Sequence, residues 1–287
     1  MCALRQYLPA HRRLDGAQRS SAVALLVGNV SISCCGIVRK GLNHAQDLVC
    51  RAGHWRHCKP PRQGAFSQKM NDQLARYRRD GYTVFRSAYN EETMQTWRDE
   101  QDRLEAASTG PFAQKRSFWF GNMLERAPQL MWQAVANPLV LDFAEQVVGP
   151  FVQLDNLTLA AFPSKDIDDP TARQCSWHRD RWAHMPSGQY DRPLSMNAIC
   201  YLQDLTDENG PLRVITGSHI TPVTMDEEER AAPHPDEELL YLQAGDLVLT
   251  HNGLLHSGTP NTSGKKRYFF SVYYNISWLS LVQSMPV

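Results

Sequence analysis

The run Trp177-His178-Arg179-Asp180 holds the residues with the most chemistry to offer. A His and an Asp two positions apart on a strand point to one face, so both can grip a single metal ion. A second histidine downstream would complete two imidazoles and one carboxylate. That set suits ferrous iron and leaves coordination positions open for a substrate and oxygen. Three residues recur by chance, and His178 with Asp180 alone reads as an ordinary surface pair. The case rests on a third ligand.

The later histidines are His184, His219, His234, His251 and His256. His184 is too near, on the chain leaving the strand. His219 ends the turn Thr216-Gly217-Ser218-His219, where hydrogen bonding is the expected role, and His234 sits between two prolines in an acidic loop. His256 is favoured over His251 because Ser257 to Lys266 reads as a hairpin turn, with Pro260, Asn261, Thr262, Ser263 and Gly264 in it. Folding it about Asn261 and Thr262 predicts His256 opposite Arg267 on paired strands. An Arg there has a use, since its planar fork holds a distal carboxylate with two hydrogen bonds. A dicarboxylate such as 2-oxoglutarate would meet the metal at one end and Arg267 at the other. A salt bridge from Arg267 to Asp246 or Asp204 is the plainer reading. His251 is assigned to a supporting or core role.

In this order the residues resemble the phytanoyl-CoA dioxygenase family of iron(II)/2-oxoglutarate oxygenases. The resemblance is carried by Trp177-His178-Arg179-Asp180, Asp207-Glu208-Asn209-Gly210-Pro211-Leu212 and Val214-Ile215-Thr216-Gly217-Ser218-His219. Gly245-Asp246 follows, then His256 with Arg267 eleven residues later. The early Arg79-Asp80-Gly81-Tyr82-Thr83-Val84-Phe85 is also similar to that family's opening motif, and the middle section is similar to ectoine hydroxylases. The resemblance spans about residues 72 to 278. It implies a double-stranded β-helix (jelly roll, cupin-like), mainly β with flanking helices. It also implies Fe(2+), 2-oxoglutarate and O2 as the reacting set, with metal ligands His178, Asp180 and His256 and hydroxylation of a small molecule. Arg267, Asn197 and Ser257 are the implied cosubstrate contacts. Gly258 stands where a small hydroxyl residue is frequent, leaving Ser257 or Thr259 to supply it. Because Asp180 is retained, hydroxylation is favoured over halogenation. The rival readings are a cupin-like metal dioxygenase without 2-oxoglutarate, which has no use for Arg267, and a non-catalytic metal-binding or interaction protein on the same barrel.

Substrate contacts are expected from Arg179 and Trp182, which flank the metal motif. Trp119, Phe120, Trp177 and Tyr273 are further aromatic candidates, although aromatics are more often core. Asn209-Gly210-Pro211 reads as a tight structural turn.

These residues need elements to position them. A short helix is predicted over 72–80, stopped by Gly81, with a strand over 82–86. Asn90 caps a helix with Glu91 and Glu92 in its first turn, and Met94, Trp97, Gln101 and Leu104 share one face of it. Asn137-Pro138 starts another, which ends at Gly149-Pro150. Strands follow over 152–161, 195–202, 212–216, 246–250 and 267–276. Helices first and many short strands later predict two packed sheets backed by helices.

The 287 residues are enough for a sizeable core, and the formal net charge is zero. That balance hides an asymmetry, since residues 1–69 net +9 and the rest net −9. An acidic body argues against nucleic acid as a partner, and no segment reads as a membrane span. Five of seven cysteines lie before residue 70, so the body reads as a reduced, cytoplasmic protein without a disulfide framework. Residues 1–69 show no sustained period. They read as a disordered or non-native extension ahead of a dioxygenase domain over 70–287, with Met70 resembling an ordinary start. Targeting is the alternative, from Arg-rich and acid-poor sequence. A zinc site on Cys50, His54, His57 and Cys58 lacks the usual paired spacing. Oligomeric state is left open.

Overall fold

The computed structural model describes residues 24–27, 30–33, 63–108, 119–165, 176–180, 193–221 and 223–276. Strands β1 (Ala24–Val27) and β2 (Val30–Ser33) form an antiparallel pair. No strand is predicted there; Val30-Ser31-Ile32-Ser33 does alternate, but over four residues only. Helix α1 (Gln63–Asp80) and β3 (Tyr82–Phe85) follow. The helix begins upstream of Met70, so the boundary read from composition falls inside it.

Helix α2 (Glu91–Ala107) starts as its residues dictate, with the Asn90 side chain accepting from the Thr93 N–H at 2.9 Å. Met94, Trp97 and Gln101 form its buried face. Next come β4 (Trp119–Phe120), α3 (Met123–Arg126), α4 (Pro128–Val135) and α5 (Pro138–Val148). Asn137 caps α5 by accepting from the Leu139 N–H at 3.1 Å. The remaining strands are β5 (Val152–Phe162), β6 (Ser195–Tyr201), β7 (Leu212–Val214), β8 (Glu238–Leu240), β9 (Leu247–His251), β10 (His256–Gly258) and β11 (Arg267–Ile276). Periodicity missed β4, β8, β10, α3 and α4, of which all but α4 have four residues or fewer.

The strands build the predicted jelly roll as two antiparallel sheets. The larger runs β3-β9-β6-β11-β5-β4 and the smaller β10-β7-β8. Period-two alternation gives the large sheet two different faces. Met196, Ala198, Cys200, Phe270, Val272 and Tyr274 pack with the helices around Trp97 and Phe143. Ile199, Tyr201, Val248 and Phe269 turn inward to meet Leu212, Val214 and Leu240 of the small sheet. The inward row of β11 is Arg267, Phe269, Ser271, Tyr273 and Asn275. It is apolar near Phe269 and polar at both ends, so its position in the row decides what a residue can touch. No described helix is long and apolar enough to cross a membrane.

Candidate metal centre

His178, Asp180 and His256 come together, with one ligand atom from each lying within 4.8 Å of the others. The main chain sets this up. His178 and His256 form an isolated antiparallel bridge, with N–H to O distances of 3.1 and 3.0 Å in the two directions. Directly opposed residues share a face, so the two imidazoles lie side by side with centroids 4.3 Å apart. Asp180, two residues on, brings Oδ1 to 3.7 Å from His256 Nε2.

Hydrogen bonds then fix which ring nitrogen faces the centre. His178 Nδ1 lies 2.8 Å from the Ser176 carbonyl and His256 Nδ1 3.0 Å from that of Leu254. A carbonyl only accepts, so both Nδ1 atoms carry the proton and both Nε2 lone pairs point into the site. Burial, then the neighbouring His178, lowers the His256 pKa. The ring is therefore neutral at pH 7, as a metal ligand must be. Asp180 is held at both oxygens: Tyr273 donates to Oδ1 at 2.8 Å and Asn197 Nδ2 to Oδ2 at 3.2 Å. Two imidazoles and one oriented carboxylate on a shared face fit a divalent transition metal such as ferrous iron.

Arg267 is buried, 2% exposed, but not where a hairpin would put it. His256 pairs with Val214 in the small sheet, and Arg267 pairs with Phe162 in the large one. The connection crosses between sheets, so the two residues face each other across the interior. Arg267 Nη1 donates to the carbonyls of Asn209 at 3.1 Å, Thr259 at 2.9 Å and Gly210. Asp246 pairs instead with Arg86 at 2.5 Å, and Asp204 accepts from the Ala244 N–H. The fork passes against Gly258, where an added Cβ would lie 3.1 Å from Nη2. His256 and Gly258 are one pleat repeat apart on one face, about 7 Å, a span suited to a five-carbon dicarboxylate.

Gly210 matters as much as the arginine. Its φ is +78°, and an added Cβ would meet the Thr259 and Pro260 carbonyl oxygens at 2.3 and 2.4 Å. Gly210→Ala combines a left-handed backbone with a main-chain clash, so it is expected to cost at least about 2 kcal/mol. Denaturant unfolding beside wild type checks this.

The other sequence candidates divide. Asn197 is at the centre through Asp180. Ser257 is on β10 one residue from His256 and so faces the opposite way, accepting from Arg213 Nη2 at 3.2 Å; alternation removes it from the Arg267 end. Thr259 donates to the Pro211 carbonyl. Arg179 lines a cavity beside the metal residues, but Nε and Nη2 donate to the carbonyls of Gly253 and Ser218. Trp182 lies outside the described residues. Trp177 is buried beneath Arg213 and donates from Nε1 to the Ala232 carbonyl. Trp119 is exposed on an edge strand. From sequence Tyr273 is expected only as a pocket aromatic. Its contact with Asp180 had a signal in the sequence, an even spacing of six from Arg267 that puts both on one strand face.

His251 takes the core role. Its Nδ1 accepts from the Gly253 N–H at 2.9 Å, and its ring lies 4.8 Å from that of His219. Burial, then the nearby His219, lowers its pKa to about 3. The unfolded chain binds a proton below pH 6.5 that the native state refuses, so stability falls as pH drops from 6.5 towards 3. This one group is expected to cost about 2 kcal/mol between pH 7 and pH 5. Chemical denaturation at both pH values reads it, and His251→Gln should flatten the dependence.

The cavity at the centre holds about 450 Å³, walled by Trp177, His178, Asp180, Val223, Met225 and Leu255. That is room for a small organic molecule.

Comparison with known proteins places this arrangement. The family described as phytanoyl-CoA dioxygenase (PhyH) matches residues 77–269. An L-proline trans-4-hydroxylase of Streptomyces griseoviridis is 30% identical over 130 residues, which is 34% of this chain and 47% of that protein. The iron/alpha-ketoglutarate-dependent dioxygenase ausO of Aspergillus calidoustus is 28% identical over 148 residues, 48% and 46% of the two chains. The chain thus spans about half the length of these two curated relatives. HygX from Streptomyces hygroscopicus, solved with nickel and 2-oxoglutarate, superposes with a TM-score of 0.61 at 16% identity, covering 74% of this chain and 89% of that one. The epimerase SnoN, solved with Fe3+, alpha ketoglutarate and nogalamycin RO, gives 0.55 at 19% identity over 77% and 94%. At these identities the solved structures establish a shared fold.

Proposed function

Since the chain belongs to the phytanoyl-CoA dioxygenase family, we propose that it is an Fe(II)- and 2-oxoglutarate-dependent dioxygenase that hydroxylates a C–H bond of a small molecule. One observation carries this: His178, Asp180 and His256 present three oriented donors on one face, within 4.8 Å. The relatives named for proline hydroxylation and solved with hygromycin B support a small-molecule substrate.

His178 and His256 would bind the metal through Nε2, their Nδ1 protons held by main-chain carbonyls. Asp180 supplies the carboxylate, with Tyr273 and Asn197 fixing its rotation. Arg267 would take the far carboxylate of 2-oxoglutarate, its fork set by the Asn209 and Thr259 carbonyls. The bound metal, cosubstrate and dioxygen supply the oxidation, in which 2-oxoglutarate becomes succinate and carbon dioxide and one oxygen atom enters the substrate. Trp177, Leu255, Val223 and Met225 form the apolar part of the cavity wall, beside the polar Arg179, Thr224 and Arg230. Arg179 would brace the loops of Ser218 and Gly253 at its edge. A buried arginine facing the centre supports 2-oxoglutarate use over a cupin-like chemistry without it.

Anaerobic titration of the purified protein with ferrous iron and then 2-oxoglutarate tests the reading. A weak visible charge-transfer band is expected on adding the cosubstrate. Metal binding without any band would favour the chemistry that lacks 2-oxoglutarate, and no metal binding would leave an interaction protein. Tyr273→Phe and Asn197→Ala each free one Asp180 oxygen, and each is expected to weaken iron binding by about tenfold or more. The same titration measures both.

A further inference from the structure

Beyond Tyr273, the inward face of the large sheet continues into polar groups that nothing assigned so far uses. Asn275 lies opposite Ser195, as Tyr273 lies opposite Asn197. With no register shift between those two pairs on β6, all four side chains share the face of the metal residues. Asn275 is 2% exposed and Ser195 fully buried. Among the described residues, neither Asn275 Oδ1 nor Nδ2 has a hydrogen-bond partner, nor do the Ser195 hydroxyl and Asn197 Oδ1. A buried polar group without a partner is destabilising, and native structures hold few of them. Several in one patch beside a metal site mark groups kept for a ligand.

Their place along the strand says which ligand. The order on the face is Arg267, Phe269, Ser271, Tyr273, Asn275. The cosubstrate extends from the centre towards Arg267, so Asn275 and Ser195 lie on the other side of Tyr273. We propose that Asn275, Ser195 and Asn197 Oδ1 form the recognition wall for the primary substrate, which presents a neutral group with donor and acceptor side by side. A carboxamide or lactam and a vicinal diol both have that pattern. A side-chain amide offers one donor and one acceptor edge to edge, and it pairs with either. Charge is disfavoured at this wall, because Asn275, Ser195 and Asn197 carry none to compensate a buried ion. The assignment deepens the dioxygenase reading and rests on it, since that reading gives the Arg267 side to 2-oxoglutarate.

Such a wall discriminates sharply. A site built to hydrogen-bond a group rejects an analogue without it far better than an apolar pocket rejects an added methylene. The test has two readouts, on the full chain with Asn275→Leu and Ser195→Ala. The first is thermal unfolding of the metal-free proteins. Groups held unpartnered for a ligand do not stabilise the fold, so the midpoints should hold or rise by a few degrees. A fall of several degrees in both variants would make the pair structural and overturn the proposal.

The second is calorimetric titration of the iron and 2-oxoglutarate complex with 2-pyrrolidinone, with trans-1,2-cyclohexanediol, and with cyclopentanol as the single-hydroxyl control. Wild type should bind the lactam or the diol at least about tenfold more tightly than the control, and each variant should lose that preference. Preference for the lactam assigns an amide substrate, and for the diol a polyol. No preference in wild type, or one that survives in both variants, overturns the wall. The wild-type charge-transfer band reports the cosubstrate complex separately, so failure of the wall is distinct from failure of the dioxygenase reading.

Discussion

Asp180→Ala and His256→Ala are each expected to abolish the charge-transfer band and cut turnover by more than about a thousandfold, roughly 4 kcal/mol. Each removes one of three donors, and no other His, Cys, Asp or Glu among the described residues belongs to this cluster. The Asp180 change reaches further. It also takes one acceptor from the half-buried Tyr273 hydroxyl and one from the buried Asn197 amide, along with the ligand. The metal-free fold should persist in both variants, because the bridge that aligns His178 with His256 is made by main-chain atoms alone. Circular dichroism should thus stay native while iron binding is lost. A band that survives in either variant would end the ligand assignment.

Arg267→Ala carries the next largest effect. Loss of a buried two-point contact to a carboxylate typically costs about 3 kcal/mol, so 2-oxoglutarate affinity is expected to fall by more than about a hundredfold. Iron binding should remain close to wild type, because the arginine is not one of the three clustered donors. Stability should fall too. The Asn209, Gly210 and Thr259 carbonyls would lose their common donor, at about 1–3 kcal/mol for each left unsatisfied. Arg267→Lys separates charge from geometry, since an ammonium keeps the charge but not the planar fork. Normal cosubstrate affinity in Arg267→Ala would remove the clamp.

The sequence by itself determined the parts whose information is local. Asn90 and Asn137 each announced a helix start, because a cap is a contact between near neighbours. The strands read over 152–161 and 267–276 match β5 and β11 to within one residue. The ordered series named His178, Asp180 and His256, whose donor atoms lie together, and Arg267, which is buried on the facing sheet. Strands β1, β2, β4, β8 and β10, of two to four residues, were not legible, since so short a strand has no period to detect.

Only the tertiary structure decided how those residues meet. A hairpin between His256 and Arg267 was the natural reading of a turn-rich link. The chain instead crosses from one sheet to the other, and sheet membership is set by packing between layers that no local signal encodes. Alternation then sorted the neighbours: Gly258 faces Arg267 while Ser257 faces Arg213. The same alternation put Tyr273 on Asp180 and left Asn275 and Ser195 buried beyond it. The His-Arg-Asp run and its distant partners fix which chemistry is available. The register of β11 against β6 decides what surrounds it, because each strand face is defined only once its partner strand is in place.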